Sequence, residues 1–139
     1  MTTVPAEQRA APSFVWLWGP VAIQMALIFM ASSIPNLGAL PGDMSDKTGH
    51  SIGYALLGGF LLRALAGARL RGVTWQRAAI TVILATLYGV SDEFHQSFVP
   101  GRSPDVHDVF ADCRGAVLAV TVIGGAALVH AWGILKRSR

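Results

Sequence analysis

Between Ser91 and Gly115 the chain carries five carboxylates (Asp92, Glu93, Asp105, Asp108 and Asp112), two histidines (His95 and His107), two arginines and its only cysteine. A second, shorter run supplies Asp46, Lys47, His50 and Tyr54. Carboxylates beside histidine suit general acid–base work, and the same groups suit a divalent cation. Asp92, Glu93, His50 and His95 are the candidate catalytic residues. Lys47 and Arg102 are candidates for holding a phosphate or carboxylate, with Gln96 and Tyr54 as further substrate contacts. Asp92, Glu93, Asp108 and Asp112 form the candidate metal set. Magnesium, calcium or manganese would suit the oxygens, and histidine admits zinc. No established catalytic spacing such as His-Glu-x-x-His is present. The same residues therefore also suit a network of ion pairs and hydrogen bonds that locks helix ends together.

The elements that must position these groups are almost purely apolar. The 139 residues are 53% hydrophobic and only 14% charged, where an ordinary soluble domain has about 25% charged residues. The apolar residues come in four blocks, Phe14 to Ile34, Ser51 to Gly67, Ala78 to Val90 and Ala116 to Leu135. A membrane-crossing helix needs about 20 such residues. The reading is an all-α, four-helix transmembrane bundle in one domain, with helices at roughly 14–34, 46–66, 75–95 and 104–135. Arg63 lies near the end of its block, where a long side chain can snorkel to the interface. Ala31-Ser32-Ser33 has the small residues of a signal-peptide cleavage site, but the first block is too long and too rich in Trp for a usual leader. One cysteine excludes an intramolecular disulfide framework. The net charge of +3 is dispersed around helix ends, with no basic patch interleaved with aromatics, so nucleic acid is not an expected partner.

Lys and Arg in short loops set orientation. Arg9 precedes the first block, Arg69, Arg71 and Arg77 lie between the second and third, and Lys136, Arg137 and Arg139 follow the fourth. With four spans these regions share one side, the cytoplasm, so both termini are expected inside. Trp16, Trp18, Trp75 and Trp132 fall at that same end, as an interfacial belt would. The opposite side receives Asp43, Asp46, Asp92, Glu93, Asp105, Asp108 and Asp112, leaving only Glu7 of the eight acids elsewhere. The motif loops are thus expected on the extracytoplasmic face of the inner membrane of a bacterium.

Local signals sharpen the two motifs. Ser45 is a good N-cap, and Asp46, His50 and Tyr54 recur every four residues along one helix face with Lys47 beside them. Asp92 and Glu93 sit at a helix carboxyl end, where the dipole prefers cations, so they need a compensating partner. Arg102 is the expected one, because its planar fork can hold a carboxylate bidentately. Pro100-Gly101 marks a turn, and Ser103-Pro104-Asp105 reads as N-cap, first-turn proline and dipole-friendly acid for the fourth helix. Asp105, Asp108 and Asp112 then line one face, which Gly115 continues and where it could allow close helix approach. Convergence of His50, Asp92, Glu93, Arg102 and Asp108 at one end of the bundle is expected, since a lone charge near lipid is costly.

The two runs, Asp46-Lys47-x-x-His50-x-x-x-Tyr54 and Asp92-Glu93-x-His95-Gln96-x-Phe98-Val99-Pro100-Gly101-Arg102-x-x-Asp105-x-x-Asp108-x-x-x-Asp112-x-x-Gly115, together resemble the VanZ-like family of small bacterial membrane proteins. Many members carry Asn where this chain has Asp112, so a further acid joins the site here. The resemblance implies a cell-envelope role and, through the family's namesake, a link to teicoplanin and glycopeptide resistance. It supplies no settled reaction.

Three functions remain open at this stage. A binding or structural role in the envelope comes first, with membrane lipids and a lipid-linked or glycopeptide-type molecule as partners. A membrane enzyme, metal-dependent or not, acting on a lipid-linked or phosphate-bearing substrate is the second. The third, an ion- or proton-coupled transport component, would need an oligomer for room. Gly49 with Gly53 and the Gly58-Gly59 pair offer small-residue faces for packing within the chain or in a homo-oligomer.

Overall fold

A computed structural model of the protein describes residues 11–35 and 45–137. Glu7, Arg9, Asp43 and Arg139, used above for orientation and charge, lie outside them. Among the described residues the chain is all-helical, with no strand. The described residues form four helices, α1 (Phe14–Ser32), α2 (Asp46–Leu65), α3 (Trp75–Gln96) and α4 (Val106–Arg137), with a 3₁₀ turn at Leu70–Gly72 between α2 and α3. The expected helices are therefore all present.

Their starts follow from capping. Ser13, Ser45 and Thr74 each accept a hydrogen bond from the backbone N–H three residues on, at the starts of α1, α2 and α3, satisfying a donor that has no partner within the helix. The fourth helix corrects the reading of Ser103 as its N-cap. It begins only at Val106, and the Asp105 side chain accepts the His107 N–H at 2.9 Å. Asp105 stands at that start with its own backbone N–H committed to the Glu93 carboxylate.

The helices alternate in direction. The end of α1 meets the end of α3 through Ser32 and Asp92, and the start of α2 meets the start of α4 through His50 and Asp112. Arg63, near the end of α2, returns to the start of α1, where its guanidinium lies 3.8 Å over the Trp16 ring and donates to the Trp16 carbonyl at 3.1 Å. Pro20 explains that contact. Lacking an N–H, it leaves the carbonyl four residues back, that of Trp16, without its helical donor, and Arg63 supplies one.

Packing between α2 and α4 depends on absent side chains. A Cβ at Gly115 would overlap the Ser51 carbonyl oxygen, and one at Gly58 would lie 3.0 Å from Ala116 Cα. Small residues let backbones approach where the surrounding solvent is itself apolar.

The distribution of polarity is inverted relative to a soluble bundle. Asp92, Glu93, Gln96, Asp108 and Asp112 are buried, whereas Phe14, Ile23, Leu56, Ile83, Leu87, Val122 and Leu128 are exposed. Buried acids with a greasy exterior are expected when lipid is the solvent. Two helices, α1 and α4, are long and apolar enough to cross a membrane. On α2 and α3, Ser51, Thr81, Asp92, Glu93 and Gln96 instead face the interior. On α3 the buried stripe Thr81, Ala85, Gly89, Asp92, Glu93 and Gln96 follows the helical repeat.

Candidate functional site

Every predicted site residue lies at the bundle end shared by the close of α1 and α3 and the opening of α2 and α4. Three sub-clusters share that end.

The first is the acid pair on α3. Ser32 Oγ donates to Asp92 Oδ1 at 2.6 Å. Gln96 Nε2 donates to Asp92 Oδ2 at 3.2 Å and to Glu93 Oε1 at 3.0 Å. The backbone N–H of Asp105 donates to Glu93 Oε2 at 2.9 Å. All four carboxylate oxygens thus have a donor, which offsets both their burial and their unfavourable position in the helix dipole.

Arg102 does not pair with these acids, contrary to the expectation of a bidentate clasp. It donates to the carbonyls of Ile34 at 3.2 Å and Ala31 at 3.0 Å. The reason is the end of α1: its last carbonyls lack helical donors, and a cation is favoured at a helix carboxyl end. Asp92 and Glu93 are meanwhile saturated by Ser32, Gln96 and the Asp105 backbone.

The second sub-cluster couples α2 to α4. His50 Nδ1 and Asp112 Oδ1 are 2.9 Å apart, and Asp112 is fully buried. An ionised carboxylate only accepts, so Nδ1 is the protonated nitrogen and Nε2 is left for another partner. Ser51 Oγ donates to the Ala111 carbonyl at 3.0 Å and accepts from Arg114 Nη2 at 2.8 Å. Lys47 Nζ bridges Asp105 Oδ2 at 2.9 Å and Asp108 Oδ1 at 3.1 Å. Asp105, outside the helices, is held well below the usual carboxylate range, first by Lys47 and then by the His107 N–H and imidazole. Its contribution is therefore present above the ordinary Asp pKa and is lost only when strong acid protonates it in the folded state.

The third is a cavity of about 380 Å³ between α1 and α2. Leu27 and Leu56, both exposed, stand on its rim, and Gln24, Ser32, Tyr54, Asp92 and Gln96, all buried, form its interior. Asp46, His50 and Arg102 also line it. The Tyr54 hydroxyl is buried and has no hydrogen-bond partner among the described residues.

Of the candidate catalytic residues, Asp92 and His50 line this cavity and Glu93 and His95 do not. His95 instead stacks on Phe29 at 4.3 Å and bonds Ser33 Oγ at 2.9 Å. Of the candidate substrate contacts, Tyr54, Gln96 and Arg102 line it, while Lys47 is engaged by Asp105 and Asp108. Of the candidate metal ligands, only Asp108 belongs to a set with ligand atoms all within 4.8 Å, its companions being Asp46 and His50.

Sequence reasoning passed over Ser32 and Gln24. Gln24 Nε2 donates to the Gly53 carbonyl at 3.1 Å. The signal was present: the two polar residues stand eight apart in an apolar helix, hence on one face.

Fold and site together define a small, membrane-like helical bundle with a buried acidic network at one end. The VanZ/LLP1 family model matches residues 17–128, most of the chain, and the protein belongs to that family, as its two motifs implied. No curated protein and no solved structure matches it.

Proposed function

We propose that this is a four-span protein of the bacterial inner membrane that binds the polar head of an amphiphilic envelope molecule, with its motif end outside and both termini in the cytoplasm. The observation that carries the reading is the α1–α2 cavity, whose wall is mostly apolar and carries Gln24, Ser32, Asp92, Gln96 and Arg102 as its polar groups. Its volume of about 380 Å³ is at the lower end of the roughly 300–1,000 Å³ of ligand pockets, which suits a head group whose tail stays in lipid. Exposed Leu27 and Leu56 would flank an entry from the bilayer side. A lipid-linked cell-wall intermediate or a glycopeptide-type molecule are the envelope ligands consistent with the family.

Gly53 supplies the test of binding. A Cβ there would meet only Ile28, at an ordinary 3.9 Å, so a side chain can start there without a backbone clash, and Gly53→Leu is expected to take up space in the cavity that Gly53 lines. Mass spectrometry of the amphiphiles that copurify with the wild type should show one class enriched over bulk membrane lipid, and Gly53→Leu should lose that enrichment. Bulk composition in both proteins would count against the binding role. A change in teicoplanin susceptibility on deletion, restored by the wild type and not by Gly53→Leu, would tie the cavity to glycopeptide resistance.

Orientation is tested separately. In a Cys113→Ser background, a cysteine at exposed Ser97 should react with an impermeant thiol reagent on intact cells. One at exposed Arg71 should react only after the membrane is opened. The opposite pattern would reverse the topology.

A further inference from the structure

We propose that a groove at the bundle end opposite the acidic network holds the phosphate of an anionic membrane phospholipid, with Arg71 as its cation and α4 as its apolar floor. The groove has a volume of about 360 Å³ and lies between α4 and the stretch that runs from the 3₁₀ turn into α3. Arg71, Thr74 and Trp75 line it from that stretch, and Gly124, Leu128 and His130 line it from α4. It shares no lining residue with the α1–α2 cavity. This second site rests on the membrane reading above, and neither on the α1–α2 ligand nor on which side this end faces.

Three observations specify the occupant. The first is charge. Arg63, Arg69, Arg71, Arg77, Lys136 and Arg137 lie at this end, and every carboxylate among the described residues lies at the other. Arg63 and Lys136 stand over the rings of Trp16 and Trp132, and Arg77 donates to the Gly72 carbonyl. Arg71 is exposed, and its guanidinium has no hydrogen bond or ion pair with any described residue. An anion is therefore the complementary ligand, and phosphate oxygens match the planar fork of an arginine.

The second is the floor. Trp75 and Leu128 are largely exposed, and nothing lies within 4 Å of a Cβ at Gly124. A soluble phosphate gains nothing from such a wall, whereas the glycerol and first acyl carbons of a lipid bury apolar surface against it. The third is depth. Trp16, Trp75 and Trp132 stand near this end of their helices, and tryptophan concentrates at head-group level. Phospholipid phosphates lie at that level, where basic pockets between membrane helices take anionic head groups. The volume is at the lower end of the roughly 300–1,000 Å³ of ligand pockets, enough for the head-group region of one lipid with its chains left in the bilayer.

The full-length protein, purified in detergent, is titrated with phosphatidylglycerol and with phosphatidylcholine and read by native mass spectrometry. One phosphatidylglycerol per chain should bind more tightly than phosphatidylcholine, whose choline cancels the phosphate charge, and inorganic phosphate should not displace it. Arg71→Gln should weaken it by about 10-fold or more, the loss expected of a hydrogen bond to a charged group. Arg69→Gln removes the same charge from an exposed residue outside the lining. It should cost no more than about 5-fold, the worth of one cation near an anionic surface. Gly124→Leu alters no charge and occupies the groove, so it should weaken phosphatidylglycerol as much as Arg71→Gln does. Gly53→Leu, in the α1–α2 cavity, should leave it unchanged. Equal affinity for the two lipids, displacement by inorganic phosphate, equal losses in Arg71→Gln and Arg69→Gln, or wild-type binding by Gly124→Leu would each overturn the proposal.

Discussion

Asp112→Ala is expected to destabilise the folded bundle by about 3–5 kcal/mol, the usual cost of removing one member of a buried charged pair. Asp112 is fully buried against His50 at 2.9 Å, so the truncated protein leaves the imidazole facing a void between α2 and α4. Hydrogen bonds between membrane helices average only about 0.6 kcal/mol, because an opened partner usually finds water or another group. The two magnitudes make the measurement decisive. Equilibrium unfolding in detergent that shows a loss near the lower figure would mean that water reaches His50 and that the pair is incidental. Replacing both residues by leucine should recover much of the loss, since a buried pair exchanged for apolar groups is often neutral. A double-mutant cycle separates the coupling from the cost of the void.

Gly115→Ala should be nearly as damaging, although it adds a single methyl group. Overpacking in a core typically costs about 1–3 kcal/mol, and more when nothing can move. Here the added carbon meets backbone, the Ser51 carbonyl and the Ala55 nitrogen, and α2 cannot retreat without stretching two neighbouring ties. These are Ser51 to the Ala111 carbonyl and His50 to Asp112. A loss of about 3 kcal/mol is therefore expected, with weakening of every property that depends on His50. Gly124→Ala is the control on the same helix. Nothing lies within 4 Å of a Cβ there, and the better helix propensity of alanine is worth up to about 1 kcal/mol. Thermal melts in which Gly115→Ala matches the wild type would contradict the close α2–α4 approach.

Four helices, their approximate limits, the caps at Ser45 and the shared face of Asp46, His50 and Tyr54 were legible in the sequence by itself. So was the family, because two separated motifs in a set order are specific. These features are local: block length, cap residues and helical repeat act within a few residues of one another. The stripe Asp108, Asp112 and Gly115 was legible for the same reason, and all three prove to be buried.

Only the tertiary structure decided who pairs with whom. Asp92 and Glu93 announced a need for partners by opposing the helix dipole, but their donors are Ser32, Gln96 and a backbone N–H. Arg102, the obvious cation, answers a different need, the carbonyls of Ala31 and Ile34 where α1 stops at Ser32. Arg63 answers another, the carbonyl that Pro20 leaves without a donor. Which groups lack a partner depends on where helices end and cross, and charge alone carries no record of that. The cavity is likewise a property of three helices, since its lining comes from residues far apart in the chain that meet only when α1, α2 and the end of α3 pack.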